Sequence, residues 1–272
     1  MKKLLIFIFL LTYFSCVAQK ETLRAKEIIL SSGMDIIANT TIETQSSSPS
    51  SSHSKLSSTN LIKVISDNVT VYKISSEITK INSSSDDAQT NYDFISNSQS
   101  DLDIKKNLPK RLISINKGTG KLIVDPLMDS LLNPKVEFSE NPIWEQFGQN
   151  VIESAFFLVP INKTTGDSWL KIDSSINSKS NTTYTVLYIN KDSTKIDFIG
   201  ETNVDKIMQV QDMQVSIKSK SILKGQIWIN NKNNLVSKKI TTTNTDSKID
   251  VMGQTSYATS ITVTTNTFFV KL

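Results

Sequence analysis

The chain has 272 residues, with 30 Lys and Arg against 26 Asp and Glu, a formal charge of +4, one cysteine and one histidine. Charge this evenly balanced, with no dense Lys/Arg run interleaved with aromatics, argues against a nucleic-acid footprint. One Cys and one His cannot make up a zinc, haem or iron–sulfur ligand set, so no metal and no other cofactor is expected.

Lys2 and Lys3 precede an apolar run from Leu4 to Phe14, and Cys16-Val17-Ala18 offers small residues to a signal peptidase. Residues 1–18 read as a cleavable signal peptide and residues 19–272 as a single exported, mainly β domain. The apolar run is far short of the roughly 20 residues that span a bilayer, and no later segment approaches that length. No transmembrane helix is therefore expected after cleavage, and the expected location is periplasmic or secreted. Anchoring through Cys16 as an outer-membrane lipoprotein is the lesser alternative, because Tyr13, Phe14 and Ser15 fit a lipoprotein signal poorly. Cleavage after Ala18 removes the sole cysteine, so stability must come from a packed core and not from disulfides.

A first strand block occupies about residues 19–124. Met34, Ile36, Ala38 and Ile42 alternate with polar residues, as do Tyr72, Ile74 and Ile78. Turns are expected at Ser32-Gly33, Asp67-Asn68 and Lys117-Gly118-Thr119-Gly120. The last of these lacks the spacing of a phosphate-binding loop. Ser46 to Thr59, with Pro49 and His53, reads as a flexible Ser-rich loop.

A helical segment comes next, over about 125–158. Asp125-Pro126 opens one short turn carrying Leu127, Leu131 and Leu132, and Asn141-Pro142 sets a cap before a proline at the first helical position. Ile143, Trp144, Phe147, Val151, Ala155 and Leu158 then form one stripe, widened by Phe156 and Phe157. The helix must end before Pro160.

The second strand block runs from about 166 to 272. Tyr184, Val186 and Tyr188 alternate, then Ile196, Phe198 and Val204, and finally Tyr257, Ile261, Val263 and Phe269. Turns at Asn190 to Ser193 and Asn230 to Asn234 are short, which implies hairpins and antiparallel pairing. The expected fold is a curved, half-barrel-like antiparallel sheet of hairpin-connected strands, with one central amphipathic helix closing its apolar face. Ile113, Ile115 and Asn116 before Leu122 echo Ile227, Ile229 and Asn230 before Leu235. The echo fits either a duplicated unit or two ordinary hairpins.

Catalytic equipment is sparse. His53 lies where no third group would orient it as a base. Asp86-Asp87 and Asp101-Leu102-Asp103 sit in polar segments, match no calcium loop and define no acid–base pair. Trp144, Trp169 and Trp228 read as core residues, with an aromatic groove for an apolar ligand as the alternative. No catalytic or metal-binding residue is assigned, and the ligand-binding residues stay open.

The strand pattern, the Pro-bounded helix, the Gly166-Asp167-Ser168-Trp169 step and the stretch Gly225-Gln226-Ile227-Trp228-Ile229-Asn230 with Leu235-Val236 resemble a family of exported proteins of unknown function. That family belongs to Gram-negative bacteria, the Bacteroidota in particular. The resemblance covers most of residues 19–272 and brings no catalytic residues. Taken together, these features predict an exported cell-envelope protein that binds an apolar small molecule or an envelope protein partner without catalysis. A structural or surface-interaction protein without a small ligand is the alternative, and a hydrolase with an unrecognised carboxylate pair comes third.

Overall fold

Ser, Thr and β-branched residues in alternation favour long pleated strands. The computed structural model describes residues 26–47, 51–86, 89–93, 111–117, 122–124, 151–175, 177–210 and 213–271. Its strands are β1 (Asp35–Ser46), β2 (Ser52–Asp67), β3 (Val71–Ser85), β4 (Gln89–Asp93), β5 (Arg111–Asn116) and β6 (Leu122–Val124) in the first block. The second block holds β7 (Ser168–Ser174), β8 (Ser178–Ile189), β9 (Ser193–Val210), β10 (Met213–Asn230), β11 (Val236–Val251) and β12 (Gln254–Lys271). All belong to one antiparallel sheet of order β6-β5-β3-β2-β1-β12-β11-β10-β9-β8-β7, with β4 on β3. The blocks join where β1 pairs with β12 from Asp35↔Lys271 to Ser46↔Ser260.

One end of one face carries the core. Ile36 and Ala38 of β1, Ile62 and Val64 of β2, Tyr72 and Ile74 of β3, Ile227 and Ile229 of β10, Ile196 of β9 and Phe268 of β12 are all buried there. A half-wet sheet must cover such a face. Here the cover is a helical turn over 151–155 with the stretch of chain just after it, together with Ile28 and Leu30. Tyr72 ties the cover down by donating its hydroxyl to the Ile28 carbonyl (2.7 Å) and accepting the Leu30 N–H (3.3 Å).

Several expectations from the sequence hold. Met34 and Ile42 pack on the core, and Val151, Ala155 and Phe156 of the helical stripe are buried. Ile152, which that stripe omitted, is fully buried as well. Ile143, Trp144, Phe147 and the segment 125–150 lie outside the described residues, as does the N-terminal segment 1–25.

Three expectations are corrected. Ser52 to Thr59 is not loop: it forms the first half of β2, hydrogen-bonded between β1 and β3, and His53 sits opposite Gln45. Serine-rich sequence pairs readily when strands flank it on both sides. In β8, a register shift between Val186 and Tyr188 inserts Leu187, so Tyr188 turns to the outer face and does not continue the stripe of Tyr184 and Val186. In β12 the set Tyr257, Ile261 and Phe269 is exposed, and the buried set is Asn266 and Phe268. Both parities of β12 carry large side chains. Pairing of Phe268 with Ala38 and Asn266 with Thr40 selects the buried one.

Candidate functional site

Beyond the core, the covered face continues down β7 to β11 into an aromatic wall. Its foundation is the Gly166 turn, where φ is +92° and the N–H donates to the Val186 carbonyl (2.8 Å). The Asp167 carboxylate accepts the Thr164 N–H (2.8 Å) and hydroxyl (2.9 Å), which hold its pKa below the usual carboxylate value. This clamp starts β7 in a register that sets Trp169 opposite Tyr184. The two rings stack at 5.2 Å and 18°, Phe157 leans on both, and Phe198 lies 5.8 Å from Tyr184. Burial, with Asp173 nearby, pushes the Tyr184 phenol up to about 12.

Two glycines bend the sheet here. A Cβ on Gly225 would lie 2.0 Å from the Ile240 carbonyl and 2.6 Å from the Phe198 ring, and one on Gly200 would lie 2.6 Å from the Thr182 hydroxyl. Both occupy the core-side face, in register with Phe198 and Thr182. Missing side chains on that face let the strands crowd and curl toward it.

Lys239 belongs to the same face. A register shift beside Trp228 and Ile229 leaves Ser237 unpaired, so Lys238 faces outward and Lys239 faces the wall. Its ammonium lies 5.8 Å from the Phe198 ring centre. Burial first, then the neighbouring positive charge of Lys171, hold its pKa below the ordinary lysine value, and Glu153 partly offsets them. Lys171 stands on β7, four strands from β11.

Past the wall, the core-side face carries small hydroxyl residues, including Thr243, Thr245, Ser221, Thr202 and Ser180, with no described segment over it. An open groove of about 900 Å³ at the far ends of β7 to β12 is lined by Ser178, Val204, Ser219, Ser247 and Ala258, and also by Lys179, Lys218, Lys248 and Tyr257. The outer face carries ion pairs, as in Lys218–Asp205 (3.2 Å) and Lys220–Glu201 (3.0 Å), beside exposed apolar side chains such as Leu170, Ile172, Ile199 and Ile222.

Of the residues singled out in the sequence, Trp169 joins the wall. Trp228 is not a core residue: it lies on the outer face between Lys195 (5.0 Å) and Lys238 (5.4 Å). His53 is exposed, its backbone N–H bonded to Asp86 (2.9 Å). Asp87, Asp101, Asp103 and Trp144 lie outside the described residues. Among the described residues no group of three His, Cys, Asp or Glu could hold a metal ion, and no helix is long and apolar enough to cross a membrane. Lys239, Tyr184 and Phe198 lie on the same face as Trp169, yet alternation alone did not single them out as a group.

No family profile matches the chain, and no characterised protein matches its sequence. Among solved structures it is similar to lipovitellin, in a structure concerned with lipid–protein interactions, at 10% identity and a TM-score of 0.50. The alignment covers 89% of this chain and 26% of that one, so this chain spans about a quarter of lipovitellin's length. Pseudomonas aeruginosa OpdQ aligns at 5% identity over 89% of this chain and 100% of its own, with a TM-score of 0.25. A mutant porin of Rh. blastica aligns at 8% identity over 87% and 100%, also with a TM-score of 0.25. The lipovitellin likeness is one of fold, a large antiparallel sheet.

Proposed function

We propose that this is an exported cell-envelope protein that holds an apolar ligand, without catalysis, against the curled face of its sheet. The observation that carries the reading is the wall of Phe157, Trp169, Tyr184 and Phe198, which continues the core onto a stretch of sheet that no described segment covers. The half-buried rings of Phe157, Trp169 and Tyr184 at the margin of an open face offer large apolar area at low entropic cost. Lipovitellin, studied for its lipid–protein interactions, shares the fold, which supports an apolar occupant without naming it. The N-terminal pattern Lys2-Lys3 with Leu4 to Phe14, and the resemblance to exported Bacteroidota proteins, support the location.

The test is binding of an environment-sensitive apolar dye to the mature protein, with mass spectrometry of organic extracts from protein purified out of the envelope fraction. Trp169→Ala should weaken dye binding, whereas Trp228→Ala on the outer face should not. Absence of any dye binding, with clean extracts, would remove the ligand from the proposal. A mature mass beginning at Gln19 is expected, and a diacylated Cys16 would change the location to an anchored one.

A further inference from the structure

We propose a second binding site, on the outer face of the sheet, that takes a sugar ring of an uncharged glycan. It does not depend on the apolar-ligand reading, which concerns the opposite face. Two neighbouring rungs of cross-strand pairs build it. Thr185, Asp197, Gln226 and Ile240 form one rung from β8 to β11, and Ile199 and Lys224 stand side by side in the next. These side chains share the outer face, and they line an open pocket of about 470 Å³ over Gly225. That volume falls among small-molecule sites, which run from roughly 300 to 1,000 Å³.

Asp197 decides the chemistry. Its Oδ1 is withdrawn from solvent and has no hydrogen-bond partner, although it belongs to a residue that lines the pocket. A carboxylate oxygen that gives up water without gaining a donor opposes folding. Further along the same face the acids are partnered, Asp205 by Lys218 and Glu201 by Lys220. In the pocket the Lys224 ammonium balances the Asp197 charge, and Lys195 and Lys238 of the adjoining rung rest on the Trp228 ring. A phosphate or carboxylate would therefore meet Asp197, and an ammonium would meet Lys224. A single carboxylate is too few for a metal ion. The ligand that suits these walls is neutral. Its hydroxyls donate to Asp197 and accept from Lys224 and the Gln226 amide, while its C–H groups rest on Ile199, which is 60% exposed, and on Ile240. A sugar ring combines such a hydroxyl edge with apolar C–H faces.

An array of uncharged and acidic oligosaccharides, probed with the full mature protein and followed by calorimetric titration with the best-retained one, tests this. At least one uncharged oligosaccharide should bind. Asp197→Asn, which keeps the shape and removes the charge, should weaken it roughly tenfold or more, the scale of one hydrogen bond to a charged group. Gln226→Ala should weaken it as well, which keeps the test open if Asp197→Asn fails to fold. Asp205→Asn, on the same face beyond the pocket, should leave the affinity unchanged. An array that retains no uncharged glycan, or retains acidic ones alone, would overturn the proposal. So would an Asp197→Asn protein that binds as tightly as the parent, or binding displaced by an unrelated peptide. Dye binding on the opposite face is a separate readout, so loss of the sugar site leaves the apolar-ligand reading standing.

Discussion

Replacing Gly225 by alanine is a direct probe of the curl that forms the site. In an ordinary strand interior the change gains about 0.5–1 kcal/mol, because glycine is conformationally costly there. At Gly225 the new Cβ would lie 2.0 Å from the Ile240 carbonyl oxygen and 2.6 and 2.9 Å from two Phe198 ring atoms. Phe198 is buried and rests against Tyr184, so it has little room to swing aside. The carbonyl is part of the β10–β11 pairing and has no rotamer at all. Overpacking typically costs about 1–3 kcal/mol and occasionally more, and a clash with backbone belongs at the upper end. Gly225→Ala should therefore lose about 3 kcal/mol, a large share of a total stability of roughly 5–15 kcal/mol. Urea unfolding followed by tryptophan fluorescence measures it. Adding Phe198→Leu should recover little, because the tighter contact is with the carbonyl. A Gly225→Ala protein as stable as the parent, or one fully rescued by Phe198→Leu, would refute the argument that strands β10 and β11 are crowded at their backbones.

Ile152→Ala in the covering turn should cost about 2–5 kcal/mol, the range for emptying a fully buried site, whereas exposed His53→Ala should stay within about 0.5 kcal/mol by the same unfolding assay. Tyr72→Phe leaves the Ile28 carbonyl without its 2.7 Å donor and should cost about 1–3 kcal/mol, with faster amide exchange at Leu30 as a local check. Met252 and Gly253 make the two-residue β11–β12 turn, both at positive φ (50° and 82°). Because Asn-Gly suits such a turn far better, Met252→Asn should raise stability by about 0.5–2 kcal/mol, and a fall in melting temperature would contradict the turn assignment. The lowered Lys239 pKa means that, between that value and the ordinary lysine pKa of about 10.4, the unfolded chain binds more protons than the folded one. Stability from this group therefore rises with pH through that window, and Lys239→Met should flatten the rise. Parallel pH profiles for the two proteins would refute the shift.

The sequence by itself determined most of the strands, though not the first half of β2, together with their antiparallel pairing and the apolar end of the helical segment. These come from period-two alternation, short turns at Asp67-Asn68 and Asn190 to Ser193, and the proline at position 160, all of them local properties. It also showed that Gly166 must turn the chain, since only glycine takes that φ at no cost. Tertiary structure decided which face each strand buries. Alternation divides β12 into two sets without choosing between them. The choice comes from β1, more than 200 residues away in sequence, which presents Ala38 to Phe268 and Thr40 to Asn266. The site was hidden for a related reason. The irregularities at Leu187 and Ser237 each reverse the parity of the residues C-terminal to them, sending Tyr188 outward and Lys239 inward. A bulge leaves almost no trace in local sequence, because it is fixed by the strand alongside and not by the residues that form it.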